Sequence, residues 1–333
     1  MFVSVLDYIS QVFTLPFHIP ENPVKIRLKD PIFSIGSCFS DNMGSKLREY
    51  KFDIVTNPLG IIYNPYSTFK NLKLILSEGI DPDNFIKTGN IYFHWDTHSA
   101  ISGTELNNFK ALLEDRSRLS RQSLIAAEWL IITFGTIYAY KYKGNDKIVA
   151  NCHKIPQKEF DRITLTQEEI IEDYQETLEL IRTINPNLKV ILTVSPVRHV
   201  RDGLIESNIS KARLISAVHE IVKKDANCYY FPSYEIMIDE LRDYRFYKSD
   251  MIHPSSQAID YIWEKFAQVF FNQETLKFID NWNKILKSLS HRPFHPHSPE
   301  HQKFLMSTIK KLEQLESKVD VTEEISFVKN QLI

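Results

Sequence analysis

Short, unbroken apolar runs that end on glycine or serine recur along this chain, and segments with helical periodicity separate them. Trp129-Leu130-Ile131-Ile132-Thr133-Phe134 stops at Gly135, and Val190-Ile191-Leu192-Thr193-Val194 stops at Ser195-Pro196. Ile32-Phe33-Ser34-Ile35 stops at Gly36, Phe52 to Thr56 ends in Asn57-Pro58-Leu59-Gly60, and Cys228-Tyr229-Tyr230-Phe231 is a further run. Apolar runs of this length without polar alternation are what a strand buried on both faces shows. Between them lie helix-prone stretches at Asp41–Tyr50, Thr104–Glu128, Gln167–Thr183 and Ser210–Lys224, and another follows Pro254 from Ser255 to Phe271. Parallel neighbours need a crossover, usually a helix. The pattern therefore predicts an α/β protein, a three-layer α/β/α sandwich around a mainly parallel sheet. Ligands of such sheets collect beyond the carboxyl ends of the strands. Ser37, Gly60, Gly135 and Ser195 fall there, so their chemistry is expected on one rim.

With 333 residues, 43% of them hydrophobic, the chain can bury a large core. Residues 1–285 are expected to form one domain with two additions. One is an insertion at about 63–103, marked by Asn64-Pro65, Asp81-Pro82 and Gly89-Asn90. The other is a hairpin excursion at about 137–155, where Tyr138, Tyr140 and Tyr142 alternate ahead of a Gly144-Asn145-Asp146 turn. The alternating tyrosines read as one face of a packed sheet. Residues 286–333 read as a proline-broken linker (His291 to Pro299) and a helical extension. Phe304, Leu305, Ile309, Leu312 and Leu315 share one side of that extension, a face for packing or for a homo-oligomer.

A formal charge of -2, from 40 basic and 42 acidic residues, gives no field to attract nucleic acid or anionic lipid. A small neutral ligand fits better. Cys38, Cys152 and Cys228 show neither CxxC spacing nor an even count, which points to a reducing compartment and no thiolate zinc cage. Met1 to Tyr8 has no basic leader segment, and no run reaches the ~18 apolar residues of a membrane span. A cytoplasmic location and no membrane partner are expected.

Two distant stretches carry chemistry. Ile35-Gly36-Ser37-Cys38 places a hydroxyl at a strand-to-helix turn, and Asp250-Met251-Ile252-His253-Pro254 supplies a carboxylate and an imidazole three residues apart. A serine hydroxyl needs a base to remove its proton, and the base needs a third group to fix its tautomer. A helix N-terminus beside Ser37 would favour an oxyanion. The plainer alternative is that Ser37 only caps the helix and that Asp250 and His253 are loop residues before an N-cap.

The chain resembles the GSCFA proteins, a group within the SGNH (GDSL-like) hydrolase superfamily. The resemblance runs from about 30 to 310 and rests on six stretches. They are Gly36-Ser37-Cys38-Phe39-Ser40, Asn57 to Pro65, Thr133-Phe134-Gly135-Thr136, Asn151-Cys152-His153-Lys154, Val194 to His199 and Leu241 to Tyr247. It implies a flavodoxin-like sandwich in which Ser37 is the nucleophile, Gly60 an oxyanion donor, and Asp250 with His253 the closing dyad. A further block of the superfamily carries a Gly and an oxyanion-binding Asn. Here Gly135-Thr136 stands in that place, so Gly135 and the Ser37 amide join Gly60 as expected oxyanion donors, and Thr136 or Asn64 would have to substitute for the Asn, or one donor is missing.

Asn64, His94, His98, His153, Arg198 and His199 are the candidate substrate contacts. Arg198 and His199 suit a carboxylate or phosphate, with a salt bridge to Asp202 or Asp243 as the plainer role. His94, Trp95, Asp96 and His98 are either substrate contacts or the hydrogen-bonded core of the insertion. Cys38 is read as a small buried apolar group rather than the nucleophile. No metal or other cofactor is expected. The reading that follows is a serine hydrolase or transferase acting on an acyl or acetyl ester, with a carbohydrate ester as the first substrate guess. The alternatives are a binding protein with the same pocket and, from the scattered histidines (among them His291, His295, His297 and His301), a metal-dependent hydrolase.

Overall fold

The computed structural model describes residues 17–77 and 80–333; the leader question posed by Met1 to Tyr8 lies outside them. In chain order the elements are β1 (Ile32–Gly36), α1 (Cys38–Glu49), β2 (Ile54–Thr56), α2 (Pro65–Leu76), β3 (Phe85–Thr88), β4 (Ile91–His94), α3 (Leu106–Ala126) and β5 (Trp129–Phe134). There follow β6 (Tyr138–Tyr142), β7 (Ile148–Val149), β8 (Phe160–Thr164), α4 (Gln167–Ile184), β9 (Lys189–Val194), α5 (Leu204–Lys224) and β10 (Cys228–Phe231). A helical turn at Ser233–Glu235 runs on as a π-helix, Ile236–Leu241, before α6 (Ser256–Phe270), α7 (Gln273–Leu289), α8 (Pro299–Glu313) and α9 (Thr322–Lys329).

Five strands make a wholly parallel sheet in the order β10-β9-β5-β1-β2. Counted along the chain this is order 2-1-3-4-5, the flavodoxin-like arrangement. Because strand side chains alternate, each strand divides itself between two cores. Trp129 and Ile131 face a cluster built with α1, α6, α7, α8 and α9. Leu130, Ile132 and Phe134 face the other cluster, built with α2, α4 and α5. The expected three-layer sandwich is the observed fold.

The additions are placed differently from the expectation. Helix α2, expected inside an insertion, is a crossover helix that packs against α4 over the sheet. The inserted material is the β3–β4 hairpin and its flanks. Strand β6 pairs antiparallel with both β7 and β8, so the excursion extends to Thr164. Tyr140 and Tyr142 pack around Trp95, Val149 and Phe160, joining hairpin and excursion into one small core. Helix α5 starts at Leu204, six residues before the expected Ser210. The apolar face of α8 is occupied within the chain, since Leu305, Ile309 and Leu312 belong to the same core as Trp282 and Ile285. That face is therefore not free to seat a second copy. No helix among the described residues is long and apolar enough to cross a membrane.

Candidate active site

Strand β1 lies between β2 and β5, so crossovers leave it in opposite directions and a crevice opens at the carboxyl end of the pair β1–β5. The chain turns there at Gly36, whose φ of 142° and closeness to Thr133 leave no room for a side chain: a Cβ would sit 2.2 Å from the Thr133 carbonyl oxygen. Asn57, itself at φ 43°, accepts the Gly36 N–H on its Oδ1 at 2.8 Å and donates from Nδ2 to Asp41 at 2.6 Å. Ser37 follows as the N-cap of α1, its Oγ accepting the Phe39 N–H at 3.4 Å. The plainer capping role is thus realised. The same side chain lines a cavity of about 380 Å³, and so does His253.

His253 reaches that cavity from a tight turn before α6. Asp250 Oδ1 accepts the N–H groups of Ile252 (2.8 Å) and His253 (2.9 Å), and Met251 adopts φ 60° to close the turn. The other carboxylate oxygen, Oδ2, receives Nδ1–H of the His253 ring at 2.8 Å. These three hydrogen bonds hold the Asp250 carboxyl at about 2, well below the usual carboxylate range. An ionised Asp250 fixes the tautomer in which Nε2 is the acceptor. Nε2 makes no hydrogen bond among the described residues, and the side chain, 40% exposed, is reachable from solvent. Ser37 Oγ and His253 share the cavity without a hydrogen bond between them.

The expected oxyanion donors are committed elsewhere. Gly60 N–H donates to Asn57 O (2.8 Å), Gly135 and Thr136 N–H to Tyr63 O (2.8 and 3.0 Å), and Ser37 N–H to Thr133 O (3.0 Å). Thr136 Oγ1 meets Ser210 Oγ at 3.2 Å and accepts the Tyr138 N–H, so it points into the core. Asn64 caps α2 by accepting the Ser67 N–H, which leaves its Nδ2 without a partner among the described residues. The first amide of α1, Cys38 N–H, donates to no backbone carbonyl among the described residues, and Cys38 lines the cavity.

The remaining candidates separate. Arg198 and His199 line the cavity. Arg198 makes neither of the salt bridges considered for it; its guanidinium donates to the hydroxyls of Tyr247 (3.1 Å) and Tyr244 (2.8 Å) and lies over both rings. His199 sits 3.9 Å from Asp202, and burial lowers its pKa. His98 packs its Cβ against Gly60 and accepts the Ala100 N–H on Nδ1. His94 and His153 are not at the cavity. Each is fully buried: His94 bonds Asp81 O and Asp96 N–H, and His153 bonds Ser99 Oγ and His94 O. Burial lowers the His153 pKa to about 4, so it stays neutral. Together with Trp95 they are the core of the insertion. Among the described residues no cluster of three His, Cys, Asp or Glu side chains is placed to hold a metal ion. Burial raises the Cys38 thiol pKa, which disfavours the thiolate.

Lys211 was not anticipated. It is 1% exposed, and its Nζ donates to the carbonyls of Gly135 (2.8 Å) and Ser195 (2.7 Å), bridging the carboxyl ends of β5 and β9 under the cavity. No carboxylate among the described residues pairs with it, and burial brings its pKa down to about 7. Asn57, Tyr63 and Arg201 are further site residues that the sequence reading did not single out. Asn57 and Tyr63 carried a signal, both standing within one of the family stretches, and Arg201 carried none.

The model of the GSCFA family matches residues 31–266, and that of the GSCFA domain protein, C-terminal domain, matches residues 282–333. The chain belongs to the GSCFA family. As a GSCFA protein it matches no curated protein. Solved structures similar to it include a candidate acylhydrolase from Bacteroides fragilis, at 10% identity over 74% of this chain and 88% of that one, with a TM-score of 0.40. A carbohydrate esterase family 2 enzyme from Corynascus thermopiles has 10% identity over 79% of this chain and 69% of its own, with a TM-score of 0.39. An acetyl xylan esterase from Butyrivibrio proteoclasticus has 10% identity, coverage of 77% and 66%, and a TM-score of 0.36. Likenesses this distant carry no chemistry to the GSCFA chain.

Proposed function

We propose that this GSCFA protein is an acyl-ester hydrolase or acyl transferase of the SGNH kind, working in a reducing compartment such as the cytoplasm, where its three unpaired cysteines are stable. One observation carries the reading: Ser37 and the Asp250-oriented His253, distant in sequence, line one cavity at the switch point of the sheet. Ser37 Oγ attacks the ester carbonyl carbon while His253 Nε2 takes its proton. The tetrahedral intermediate expels the alcohol, which leaves with that proton, and an acyl-serine remains. Water, or an acceptor hydroxyl, then attacks the acyl carbon with His253 again taking a proton, and Ser37 is released. The Ser37–His253 hydrogen bond this requires forms when substrate enters; such bonds are often long before it does. Cys38 N–H and the partial positive charge of α1 face the developing oxyanion. The residue basis for a carbohydrate substrate is weaker than the sequence suggested, because Trp95, His94 and His153 lie in the insertion core.

The occupied amides of Ser37, Gly60, Gly135 and Thr136 favour a second reading, a protein that binds an ester and turns it over weakly or not at all. Losing one oxyanion donor alone costs about 3 kcal/mol of transition-state stabilisation. A fluorophosphonate probe separates the two. Hydrolase chemistry gives an adduct on Ser37, lost in Ser37→Ala, and Asp250→Asn lowers kcat by about 10²–10⁴. An unlabelled folded protein with no turnover on a broad acyl-ester panel leaves the binding reading.

A further inference from the structure

The lining of the cavity has a charge that ester hydrolysis does not need. Arg198 and Arg201 stand on it with His199 and His253, and no Asp or Glu is among the lining residues. The nearby carboxylates pair with other groups than the two guanidiniums: Asp202 with Arg162 at 3.1 Å and, at 3.9 Å, with His199, Asp250 with His253, and Asp41 with the Asn57 amide. Neither arginine has a carboxylate partner among the described residues. Arg198 Nε and Nη1 are held by two neutral tyrosine hydroxyls, and its Cζ lies 4.8 and 4.5 Å from the Tyr244 and Tyr247 ring centroids. Its backbone N–H is fixed to Ile252 O at 3.2 Å, tying it to the turn that carries His253. A guanidinium has five N–H donors, so Arg198 keeps three that are paired with no anion among the described residues, on a group already held in place by its tyrosines. Arg201 is held similarly, donating to Gln157 at 2.9 Å with its Cζ 5.1 Å from the Tyr140 ring centroid. Beside them Val197, Val200 and Ile252 give an apolar wall.

We infer that the cavity takes an ester bearing a carboxylate or phosphate, with Arg198 and Arg201 holding the anion, the apolar wall taking the connecting hydrocarbon and the ester carbonyl at Ser37. This deepens the hydrolase reading and rests on it. Charge-assisted bidentate bonds to a preset guanidinium discriminate against a neutral isostere, whose polar end would leave the fork unpaired.

The test compares kcat/KM within matched pairs. On the alcohol side these are the acetate esters of 4-hydroxybenzoate, of 4-hydroxyphenyl phosphate and of neutral 4-hydroxybenzamide. On the acyl side they are 4-nitrophenyl hydrogen succinate and 4-nitrophenyl butyrate. The expected result is a preference of about tenfold or more for the charged member in at least one arm, which shrinks in about 0.5 M salt and in Arg198→Gln through a raised KM. Binding of the esters of both arms to Ser37→Ala, read by calorimetry, reports the anion site without turnover. Anion-selective binding in a protein that hydrolyses nothing keeps the anion site and sinks the hydrolase reading. Hydrolysis with equal kcat/KM for charged and neutral esters in both arms does the reverse. A preference that survives Arg198→Gln and Arg201→Gln together overturns the assignment to these residues, as does the absence of selective binding in Ser37→Ala.

Discussion

Lys211 carries an ammonium group into a place where no carboxylate among the described residues receives it, and the two carbonyls it bridges belong to Gly135 and Ser195, both at the cavity. Its stability contribution has a definite sign. In the unfolded chain a lysine keeps its proton to about pH 10.4, whereas burial brings the folded value to about 7. Below about pH 7 both states are protonated and the full desolvation cost is present. Between about 7 and 10 the unfolded state binds more protons, so stability rises with pH. Wild type is therefore expected to gain on Lys211→Met in urea midpoint from pH 6.5 to 9.5, and a constant difference across that range contradicts the assignment. Tyrosine titrations common to both proteins cancel. Nothing local in the sequence announces Lys211: a lysine within an amphipathic helix reads as solvent-facing, and only the packing of α5 over the strand ends turns it inward. The local geometry of Ser37, Asp250 and His253 was legible because it depends on neighbours two or three residues away: a glycine turn, a helix start, a carboxylate one turn from its imidazole. His94 and His153 were misplaced because a polar-aromatic cluster has the same composition whether it faces substrate or closes an insertion.

At the scale of elements, the position of α1 decides where Ser37 stands, and Gly44 lets that helix approach β2. Glycine inside a helix costs about 1 kcal/mol relative to alanine. Here a Cβ would lie 2.3 Å from Thr56 Oγ1 and 2.8 Å from its Cγ2. Gly44→Ala is expected to destabilise by about 1–3 kcal/mol despite the better propensity. Thr56→Ala removes the two nearer atoms and leaves only Cβ, at 3.0 Å. The double variant should therefore be more stable than the sum of the singles by about 0.5–2 kcal/mol, a coupling that urea titrations of the four proteins measure. Additivity would place the helix farther from β2. The buried strands were legible because their hydrophobicity is continuous. Strand β8 was not, since Phe160-Asp161-Arg162-Ile163-Thr164 has mostly solvated side chains and owes its conformation to pairing with β6. The start of α5 was missed for a related reason: Leu204, Ile205 and Ile209 are exposed, so apolar residues there do not mark the buried face. Helix α7 did carry signals, an Asn272 cap and apolar positions at Phe278, Ile279, Trp282 and Ile285.

For the whole molecule, the question is whether the segment after the sheet domain, which has its own family model, is a separate body. Its side chains answer in terms of packing. Leu305, Ile309, Leu312, Val321, Ile325 and Val328 share one core with Phe39 and Met43 of α1, Trp129 and Ile131 of β5, and Trp282 and Ile285 of α7. Polar contacts bind the same parts: Trp282 Nε1 donates to Glu49 O at 2.7 Å, Tyr50 to Asn283 at 2.7 Å, and Lys51 pairs with Glu324 at 2.6 Å. The helix that presents Ser37 is thereby held from behind by the C-terminal helices. Leu312 is fully buried, and truncating such a leucine costs about 2–5 kcal/mol. If the tail were independent, Leu312→Ala would create or shift a separate low-temperature transition and leave the sheet domain's melting unchanged. A shared core instead requires one calorimetric transition moved down as a whole, by roughly 2–4 °C for each kcal/mol lost. It also requires an unchanged oligomeric state by light scattering, because the deleted contacts lie within one chain. Two resolved transitions, or dissociation of an oligomer on this substitution, would assign the C-terminal helices to a different partner than the one they touch here.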